Sequence, residues 1–558
     1  MNNVISLKGF LLVVFLLNLL QGIFTPIIDD EAYYWMWSQR FSFGYFDHPP
    51  MIAILIKLSD FLLNNEIGAR FLTVLFNTIA AYFYWQILEP KTKKEQLIFL
   101  LLYFSIPLIQ VFSFVSTPDA PLLFFTILYL YVLKKYLINK KFSWSILLGV
   151  CFAGIMYSKY HGVLVLLFTL LPIFNKLYKT PNFYFAIFLS LILYSPHFWW
   201  LVANDFPPIA YHFVDRSAEE VYSISHTLIY IGTALIAFSG LLFIYIPGAI
   251  KSRNRQNLFE ISVFWLVIGP FLFFLISTLK DTTQAQWLLI SYVGLGILVY
   301  NYLIKLEQLK LFYILSGITA GLLIIARVVI MIPIISPLYR TKDFGTKLST
   351  LVKTDIVAFE RYQEASIFEF YNQDKQGVVY RTLGNRNSQF TVWDDESLLN
   401  QPFTFVSPWL DSPVYFTALK GRSYFVNYVE GYQPMHHSKA NFITIDNTEI
   451  LDNYLEIKKN NSHQLIIEIS DINIDLIKNK DYRIAIYITK DKQYNIVEEF
   501  QIPIESLMIP NSNEQIYQFT ININTNLTQG DYVAYIGVTP KQVMTKFQSN
   551  PLKIKVIE

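Results

Sequence analysis

The amino-acid sequence predicts a polytopic α-helical membrane protein of about 11 transmembrane helices, followed by a polar region that is first mixed α/β and then β-rich. Hydrophobic residues make up 53% of the 558 residues and charged residues only 15%, with a mean hydropathy of +0.37. A soluble chain carries about 25% charged residues. Apolar runs long enough to cross about 30 Å of hydrocarbon recur as far as Tyr339 and then cease. These observations exclude a disordered chain and disfavour a purely soluble one.

The first apolar run, residues 9–28, contains no charged side chain. We interpret it as a permanent span, because Gln21 to Phe24 make a poor signal-peptide cleavage site and further spans follow. A shorter run at 50–63 carries Lys57 and Asp60, which is typical of an amphipathic helix in the membrane interface. The other predicted spans lie at about 68–88, 97–116, 119–133, 142–158, 162–175, 183–203, 227–250, 259–279, 286–304 and 311–335.

The loops between these runs alternate in charge. One set is rich in lysine and arginine, and the other carries the acids. Positively charged loops face the cytoplasm, so the lysine-rich set and the N-terminus are expected there. An odd number of spans then puts the polar C-terminal region outside. The formal net charge is only +2, which implies no nucleic-acid partner, and the single cysteine, Cys151, excludes an intrachain disulfide.

Three domains are predicted from the change in character along the chain. Residues 1–340 form the membrane domain. Residues 341–445 combine a helix near 359–370 with short strands such as 378–380. Residues 446–558 contain alternating strands separated by Asn, Asp, Gly and Pro turns, a pattern typical of a small β-sandwich.

The first outer loop is the densest polar stretch of the membrane domain. It contains three consecutive acids, Asp29, Asp30 and Glu31, and then Asp47 beside His48. Acids also suit a helix N-terminus, so an exposed helix cap is the plain alternative. The loop is rich in Tyr, Trp and Phe, which would shield its carboxylates from water. A shielded carboxylate whose pKa is tuned by a neighbour can act as a general base.

Further polar residues are expected at the same face. Asp119 opens a span after Pro118, where ordinary helix capping is the plainer interpretation. Arg70 lies in an apolar run, where a charge is either functional or extends to the interface. Cations would hold a lipid phosphate by charge-assisted hydrogen bonds. The candidates for such phosphate contacts are His48, Arg70, Lys159, His161 and Arg216.

A metal site is the other chemistry that the histidines offer. His48, His161 and His212, with Asp47, carry suitable ligand atoms, but their spacing matches no common zinc pattern. No metal is therefore assigned, and a divalent cation is left open.

These motifs together resemble the bacterial polyprenyl-phosphate-dependent glycosyltransferases, relatives of the protein O-mannosyltransferases and of the lipid A aminoarabinose transferases, which share the GT-C membrane fold. The resemblance covers about residues 1–340 and is weaker over 361–387. The segment from 446 onward is not expected of the family core. The motifs are 29–35 (DDEAYYW), 44–50 (GYFDHPP), 68–71 (GARF), 117–121 (TPDAP) and 158–162 (SKYHG).

The resemblance implies transfer of a sugar from an undecaprenyl-type phosphate to an acceptor on the outer face of a bacterial inner membrane. The family's candidate catalytic Asp corresponds to Asp30, with Glu31 beside it, and the acid of the second motif to Asp47. The next position is often lysine in the aminoarabinose branch but is His48 here. Relatives in that branch also hold zinc. The implied partners are the lipid donor, the bilayer, and an acceptor glycan, lipid or protein.

Physical chemistry is consistent with this reading. Asp30 would deprotonate the acceptor hydroxyl, Glu31 and Asp47 would orient it, and fixed cations would stabilise the departing phosphate. Displacement assisted by a single base inverts the anomeric carbon, whereas double displacement needs a second carboxylate about 5 Å away. A transporter or flippase of lipid-linked sugars is the main alternative, and a scaffold with a β-sandwich binding module is a third. Acids clustered at one face and the lack of an internal repeat favour the enzyme.

Overall fold

The computed structural model shows two compact units, Met1–Tyr339 and Arg340–Glu558. The residues that the structure describes are 5–61, 63, 65–210, 222–280, 282–380, 388–393, 398, 401–408, 412–418, 422–430, 439–446, 448–450, 453–458, 462–470, 482–490, 496–503, 507–508, 516–524, 527–540, 549 and 551–557.

The described residues of the first unit form helices and the loops that connect them. Four short 3-10 segments interrupt or extend the helices, at Tyr160–Gly162, Leu171–Ile173, Leu242–Tyr245 and Ala285–Leu288. The α-helices are α1 (Leu7–Phe24), α2 (Asp29–Gln39), α3 (Met51–Asp60), α4 (Glu66–Leu88), α5 (Lys93–Phe104), α6 (Pro107–Phe112), α7 (Asp119–Ile138), α8 (Phe142–Ser158), α9 (Val163–Leu170), α10 (Phe174–Leu177), α11 (Pro181–Ala203), α12 (Pro207–Ala210), α13 (Ile224–Ser239), α14 (Ile246–Ser252), α15 (Leu258–Ser277), α16 (Leu289–Leu303) and α17 (Lys310–Ile330), with α18 (Leu338–Leu348) at the junction of the units.

Eight helical segments among the described residues are long and apolar enough to cross a membrane, or nine if a pair bent by 90°, Ile224–Ser239 with Leu242–Ser252, is one span. They confirm the predicted multi-pass membrane class. The predicted span at 142–158 is the shorter apolar helix α8, and that at 97–116 is divided between α5 and α6. The total of eleven therefore stays a prediction.

Close helix packing in this unit depends on small residues and on carbonyl acceptors. A Cβ on Gly149 of α8 would come within 2.8 Å of the Ala186 carbonyl of α11, so glycine lets these two helices approach. Hydroxyl groups that face apolar surroundings donate to backbone carbonyls, as Tyr84 does to Val293 at 3.0 Å.

The second unit begins with a mixed sheet beside α19 (Tyr362–Tyr371) and α20 (Gln389–Val392). Its strand order is β2-β1-β3-β5-β4, in which β1 pairs in parallel with β2 and β3, and β5 pairs antiparallel with β3 and β4. The strands are β1 (Ile356–Phe359), β2 (Gln376–Val379), β3 (Phe403–Ser407), β4 (Tyr415–Ala418) and β5 (Arg422–Val429).

Two further five-stranded sheets follow, with orders β11-β10-β14-β15-β8 and β12-β13-β9-β6-β7. The prediction of a mixed α/β part followed by a β-rich part is thus confirmed. One strand of the second sheet, β6, precedes the predicted boundary at 445/446 and pairs antiparallel with β9. The strands are β6 (Lys439–Ile445), β7 (Thr448–Glu449), β8 (Tyr454–Lys458), β9 (Ser462–Ser470), β10 (Tyr482–Thr489), β11 (Ile496–Ile502), β12 (Leu507–Met508), β13 (Ile516–Asn524), β14 (Gly530–Pro540) and β15 (Leu552–Ile557).

Candidate functional site

The three first-loop acids form the first turn of α2, and each meets a different environment. Successive helical residues point about 100° apart, so three neighbours cannot share one face. Asp29 is exposed, Asp30 is partly exposed and Glu31 is completely buried. The Asp29 carboxylate accepts the Asp30 backbone N–H at 3.1 Å, and Glu31 accepts the Ile28 N–H at 3.3 Å. The helix-capping interpretation therefore describes part of their role.

Glu31 and Arg70 form a buried two-pronged ion pair. Arg70 Nε donates to Glu31 Oε1 at 2.8 Å, and Arg70 Nη2 bonds to Oε2. The Ser116 backbone N–H also donates to Oε1, at 2.7 Å. The pair thus joins α2 and α4 to the turn before α7.

Arg70 uses the rest of its guanidinium on backbone carbonyls at the end of α1. Nη1 donates to Gly22 O at 3.1 Å and to Thr25 O at 2.5 Å, and Nη2 donates to Pro26 O at 3.0 Å. With the two bonds to Glu31, all five N–H donors of an arginine are occupied. The side chain has no exposed surface. This geometry argues against the predicted phosphate contact for Arg70, because no donor is left to make one.

Asp47 lies in a turn that packs on α2. Its Oδ2 accepts the Tyr33 hydroxyl at 3.2 Å, and the residue is 6% exposed. Tyr45 anchors the turn by stacking on Trp37 with ring centres 4.5 Å apart and by donating to the Trp37 carbonyl at 2.9 Å. Burial raises the pKa of the Tyr45 phenol, so it remains a hydrogen-bond donor. Asp47 also interacts electrostatically with Tyr160.

Asp119 and Lys159 form a second ion pair. Lys159 Nζ lies 3.0 Å from Asp119 Oδ1 and 2.8 Å from Oδ2, and the two side chains are 9% and 7% exposed. Asp119 begins α7, Lys159 follows the last residue of α8, and Ser116 connects this pair in sequence to the Glu31–Arg70 pair. Asp119 is the first residue of α7, and its carboxylate is engaged in the ion pair with Lys159.

The remaining predicted phosphate ligands are placed less closely together. His48 is partly exposed, with its ring 6.1 Å from that of Tyr34. His161 is also partly exposed and lies edge-on to Phe274 at 5.8 Å. Arg216 lies outside the residues that the structure describes, and so does His212.

His197 is a site residue that sequence reasoning missed. It is fully buried in α11, with Nδ1 2.7 Å from the Phe43 carbonyl and Nε2 3.1 Å from the Tyr160 hydroxyl. A carbonyl only accepts, so Nδ1 carries the proton and Nε2 accepts from Tyr160. A histidine one residue after Pro196 in an apolar run was the available signal.

Trp200, one turn further along α11, presses on the same loop. Its ring is parallel to that of His197 with centres 6.0 Å apart. A Cβ on Gly44 would come within 2.2 Å of the Trp200 ring, so only glycine fits this approach. Together His197 and Trp200 hold the segment that leads to Asp47.

The resemblance to zinc-holding relatives implies a metal, and the residues that the structure describes do not form a site that fits one. No group of three or more His, Cys, Asp or Glu side chains suited to a metal ion occurs in the described part of the chain. The buried acids near the first loop are bonded to cations or hydroxyls instead. No chemical step is therefore derived through a metal.

Comparisons with known proteins agree with this architecture. Residues 47–200 match the model of the family described as dolichyl-phosphate-mannose-protein mannosyltransferase. The lipid A galacturonosyltransferase RgtD of Rhizobium johnstonii is 22% identical over 324 residues, which cover 54% of this chain and 67% of that protein.

Two crystal structures of ArnT from Cupriavidus metallidurans share the fold with TM-scores of 0.55. The apo structure is 12% identical and the match covers 76% of this chain and 98% of ArnT. The structure bound to undecaprenyl phosphate is 13% identical, with coverage of 75% and 97%. The predicted resemblance to GT-C glycosyltransferases is confirmed, and the comparisons support a membrane glycosyltransferase.

Proposed function

We propose that this chain transfers a sugar from an undecaprenyl-type phosphate to an acceptor hydroxyl, at the outer face of a bacterial inner membrane. The donor follows from the resemblance and from the ligand named for one ArnT structure. The acid-rich first loop offers a general base, and the Lys159 ammonium offers a cation for the phosphate, as such a transfer needs.

The observation that carries the proposal is that the three first-loop acids differ in their partners and in their exposure to solvent. Glu31 is committed to Arg70 and Ser116, and Asp29 is exposed to solvent. Asp30 lies between them at partial exposure, where an acceptor hydroxyl can approach while surrounding protein limits water. Asp30 is therefore the proposed general base, and the Glu31–Arg70 pair fixes the helix turn that presents it.

Charge on the departing phosphate needs a cation that remains protonated. Lys159 donates two hydrogen bonds to Asp119, and in the described residues no partner takes the third N–H of its ammonium. We assign this N–H to the phosphate, with Asp119 holding the ammonium in place. His48 and His161 are the further candidates, since both are partly exposed.

The proposed stereochemical outcome is inversion. One base activates the hydroxyl, the hydroxyl oxygen attacks the anomeric carbon, and the lipid phosphate leaves with the electron pair of the broken bond. Asp47, held by Tyr33 at 3.2 Å, acts as an orienting group.

The matched pair Asp30→Asn and Asp29→Asn tests the proposal. Transfer of a radiolabelled sugar from undecaprenyl phosphate is measured in detergent, with lipid A as the first acceptor. Loss of a general base costs about 10²–10⁴-fold in rate, so Asp30→Asn should lose that much and Asp29→Asn should stay near wild type. Near-normal turnover of Asp30→Asn would sink the assignment, and a product with retained configuration would exclude the single displacement.

A further inference from the structure

Arg327 lies near the C-terminal end of α17 and reaches toward α1 and α6. Its Nη2 lies 2.7 Å from Asn18 Oδ1 and its Nε lies 3.2 Å from Gln21 Oε1. Nη1 donates to Gln110 Oε1 at 3.2 Å, and the guanidinium carbon is 5.2 Å from the Phe114 ring centre. A charged side chain in a membrane-spanning helix is costly and marks a functional site by default.

The charge of Arg327 is not neutralised by its described partners. Those partners are amides, a backbone carbonyl and an aromatic ring, all of which are uncharged. Two buried cations among the described residues of this unit differ, because Arg70 is paired with Glu31 and Lys159 with Asp119. A net positive charge therefore remains where Arg327 sits.

The Arg327 guanidinium also has an N–H donor with which it can bind a ligand. Of its five N–H donors, Nε uses one and Nη2 uses two, while Nη1 uses one on Gln110. Within the described residues the second N–H of Nη1 has no partner. The Arg327 side chain is partly exposed at the surface of the helices.

The surroundings select a lipid over a soluble anion. Neighbouring side chains of α17 are broadly exposed and apolar: Ile324, Ile325 and Val328 are 52%, 60% and 47% exposed. On α1, Leu20 and Phe24 are likewise exposed, at 48% and 54%. Acyl or prenyl chains cover such surfaces in a membrane.

The depth of the guanidinium suits a headgroup. Gln21 donates to the Thr25 hydroxyl at 2.7 Å, and Thr25 is the C-cap residue of α1, where the first loop begins. Arg327 contacts Gln21 and therefore lies about one helical turn before the end of α1. A lipid phosphate is expected to reach this level, because the predicted first outer loop begins there.

We infer that Arg327, with Asn18, Gln21 and Gln110, forms a binding site for the phosphate of an anionic membrane lipid. The guanidinium supplies the charge and its remaining donor, and the amides hold its plane in place. The shared ligand chemistry is a lipid phosphate, carried either by a polyprenyl phosphate or by an anionic phospholipid.

Binding to the full-length protein in neutral detergent tests the inference, without any sugar or acceptor. Native mass spectrometry and thermal midpoints are recorded with undecaprenyl phosphate, phosphatidylglycerol and phosphatidylcholine in separate arms. R327Q should weaken retention of the anionic lipids at least tenfold, and R327K should retain most of it because it keeps the charge. R253Q removes a guanidinium that stacks on Phe264 elsewhere, and should behave as wild type.

The arms identify the source of the phosphate. Retention of undecaprenyl phosphate alone assigns the site to a polyprenyl lipid, and equal retention of phosphatidylglycerol assigns it to a bilayer lipid. Equal retention of phosphatidylcholine, or unchanged lipid binding in R327Q, overturns the inference. The two proposals can fail separately. If the wild-type protein shows no transferase activity but R327Q still loses anionic lipid, the proposed function is refuted and the lipid site is supported.

A measurement on the wild-type protein makes the test independent of how the variants fold. A photoactivatable phosphatidylglycerol and a photoactivatable polyprenyl phosphate, each with its reactive group near the phosphate, are crosslinked to the intact chain. Crosslinks are expected in residues 17–24 and 324–331. Crosslinks that avoid both segments would contradict the site.

Discussion

Glu31 and Arg70 are 39 residues apart in the chain and form an ion pair in which neither side chain has exposed surface. Both were predicted to serve the chemistry directly. Their hydrogen bonds give them a different task, since Glu31 receives Arg70 and the Ser116 N–H, while Arg70 closes the carbonyl end of α1. The pair thus sets the position of the helix turn that carries Asp30.

Breaking this pair should damage the fold before it affects the chemistry. Removing one partner of a buried ion pair costs about 3–5 kcal/mol, because the other charge is left uncompensated. Arg70→Met and Glu31→Gln should each lower the thermal midpoint and the yield of monodisperse protein in size-exclusion chromatography. The double variant Glu31→Gln/Arg70→Met should recover part of the loss. Well-folded single variants that merely bind donor more weakly would restore Arg70 as a phosphate ligand.

The Asp119–Lys159 pair should show coupled but unequal effects on activity. Asp119→Asn leaves the Lys159 ammonium charged but loosely held, whereas Lys159→Met removes the charge that we propose for the departing phosphate. We expect Lys159→Met to lower kcat on the order of 10²-fold or more, and Asp119→Asn to lower it less. Steady-state kinetics of both variants and of the double variant provide the test. Equal losses in all three would indicate a purely structural pair.

His197 should act as a positioning residue for the first loop. His197→Ala removes the acceptor for the Tyr160 hydroxyl and the donor for the Phe43 carbonyl. Misplacing a reacting group by about 1 Å costs on the order of 10²-fold, so kcat should fall while KM for the donor changes little. Tyr160→Phe leaves the Phe43 contact intact and should cost less. Parallel losses of kcat and thermal stability in His197→Ala would show a role in folding only.

Gly44 provides a steric test of the same contact. A methyl group at Gly44 would lie within 2.2–2.8 Å of three Trp200 ring carbons, so Gly44→Ala must displace the loop or the indole. Activity should fall, and Gly44→Ala combined with Trp200→Ala should regain part of it by removing the clash. Gly232→Ala is the matched control, since nothing lies within 4 Å of its added Cβ. An active Gly44→Ala single variant would show that the loop need not pack on α11.

The β-rich part of the chain carries a pH-dependent contact. His463 Nδ1 lies 2.7 Å from Asp446 Oδ2, and the Gln464 N–H donates to Oδ1 at 2.8 Å. These hydrogen bonds lower the pKa of the Asp446 carboxyl below its usual value of about 4. A lowered pKa in the folded state adds stability above the unfolded pKa, and this stability is lost as the pH falls through the folded pKa.

Asp446→Asn should therefore flatten the acid side of the stability profile. Asn also tolerates the left-handed backbone at this position, where φ is 46°, so the change is not confounded by strain. Hydrogen exchange of β6 and β9 in the intact protein, measured between pH 6 and pH 3 and corrected for intrinsic rates, reports the effect. Identical acid sensitivity of wild type and Asp446→Asn would contradict it.

Much of the fold could be predicted because membrane spans and alternating strands are local patterns. Length of apolar runs, charge of loops and the polar shift near Tyr339 each depend on residues close together in sequence. The division of one predicted span into α5 and α6, and the bend between Ile224–Ser239 and Leu242–Ser252, could not be predicted from local patterns. Breaks in an apolar run depend on how neighbouring helices pack.

By itself, the sequence determined the membrane class, the polar C-terminal region, the acid-rich first loop and the resemblance to GT-C glycosyltransferases. The tertiary structure decided which charged side chains form ion pairs: Arg70 with Glu31, and Lys159 with Asp119. It also brought His197 and Trp200 to the loop of Asp47 and left Arg327 with neutral partners. The physical reason is that an ion pair or a steric contact acts over a few ångströms. Only helix packing brings residues from distant parts of the chain that close together.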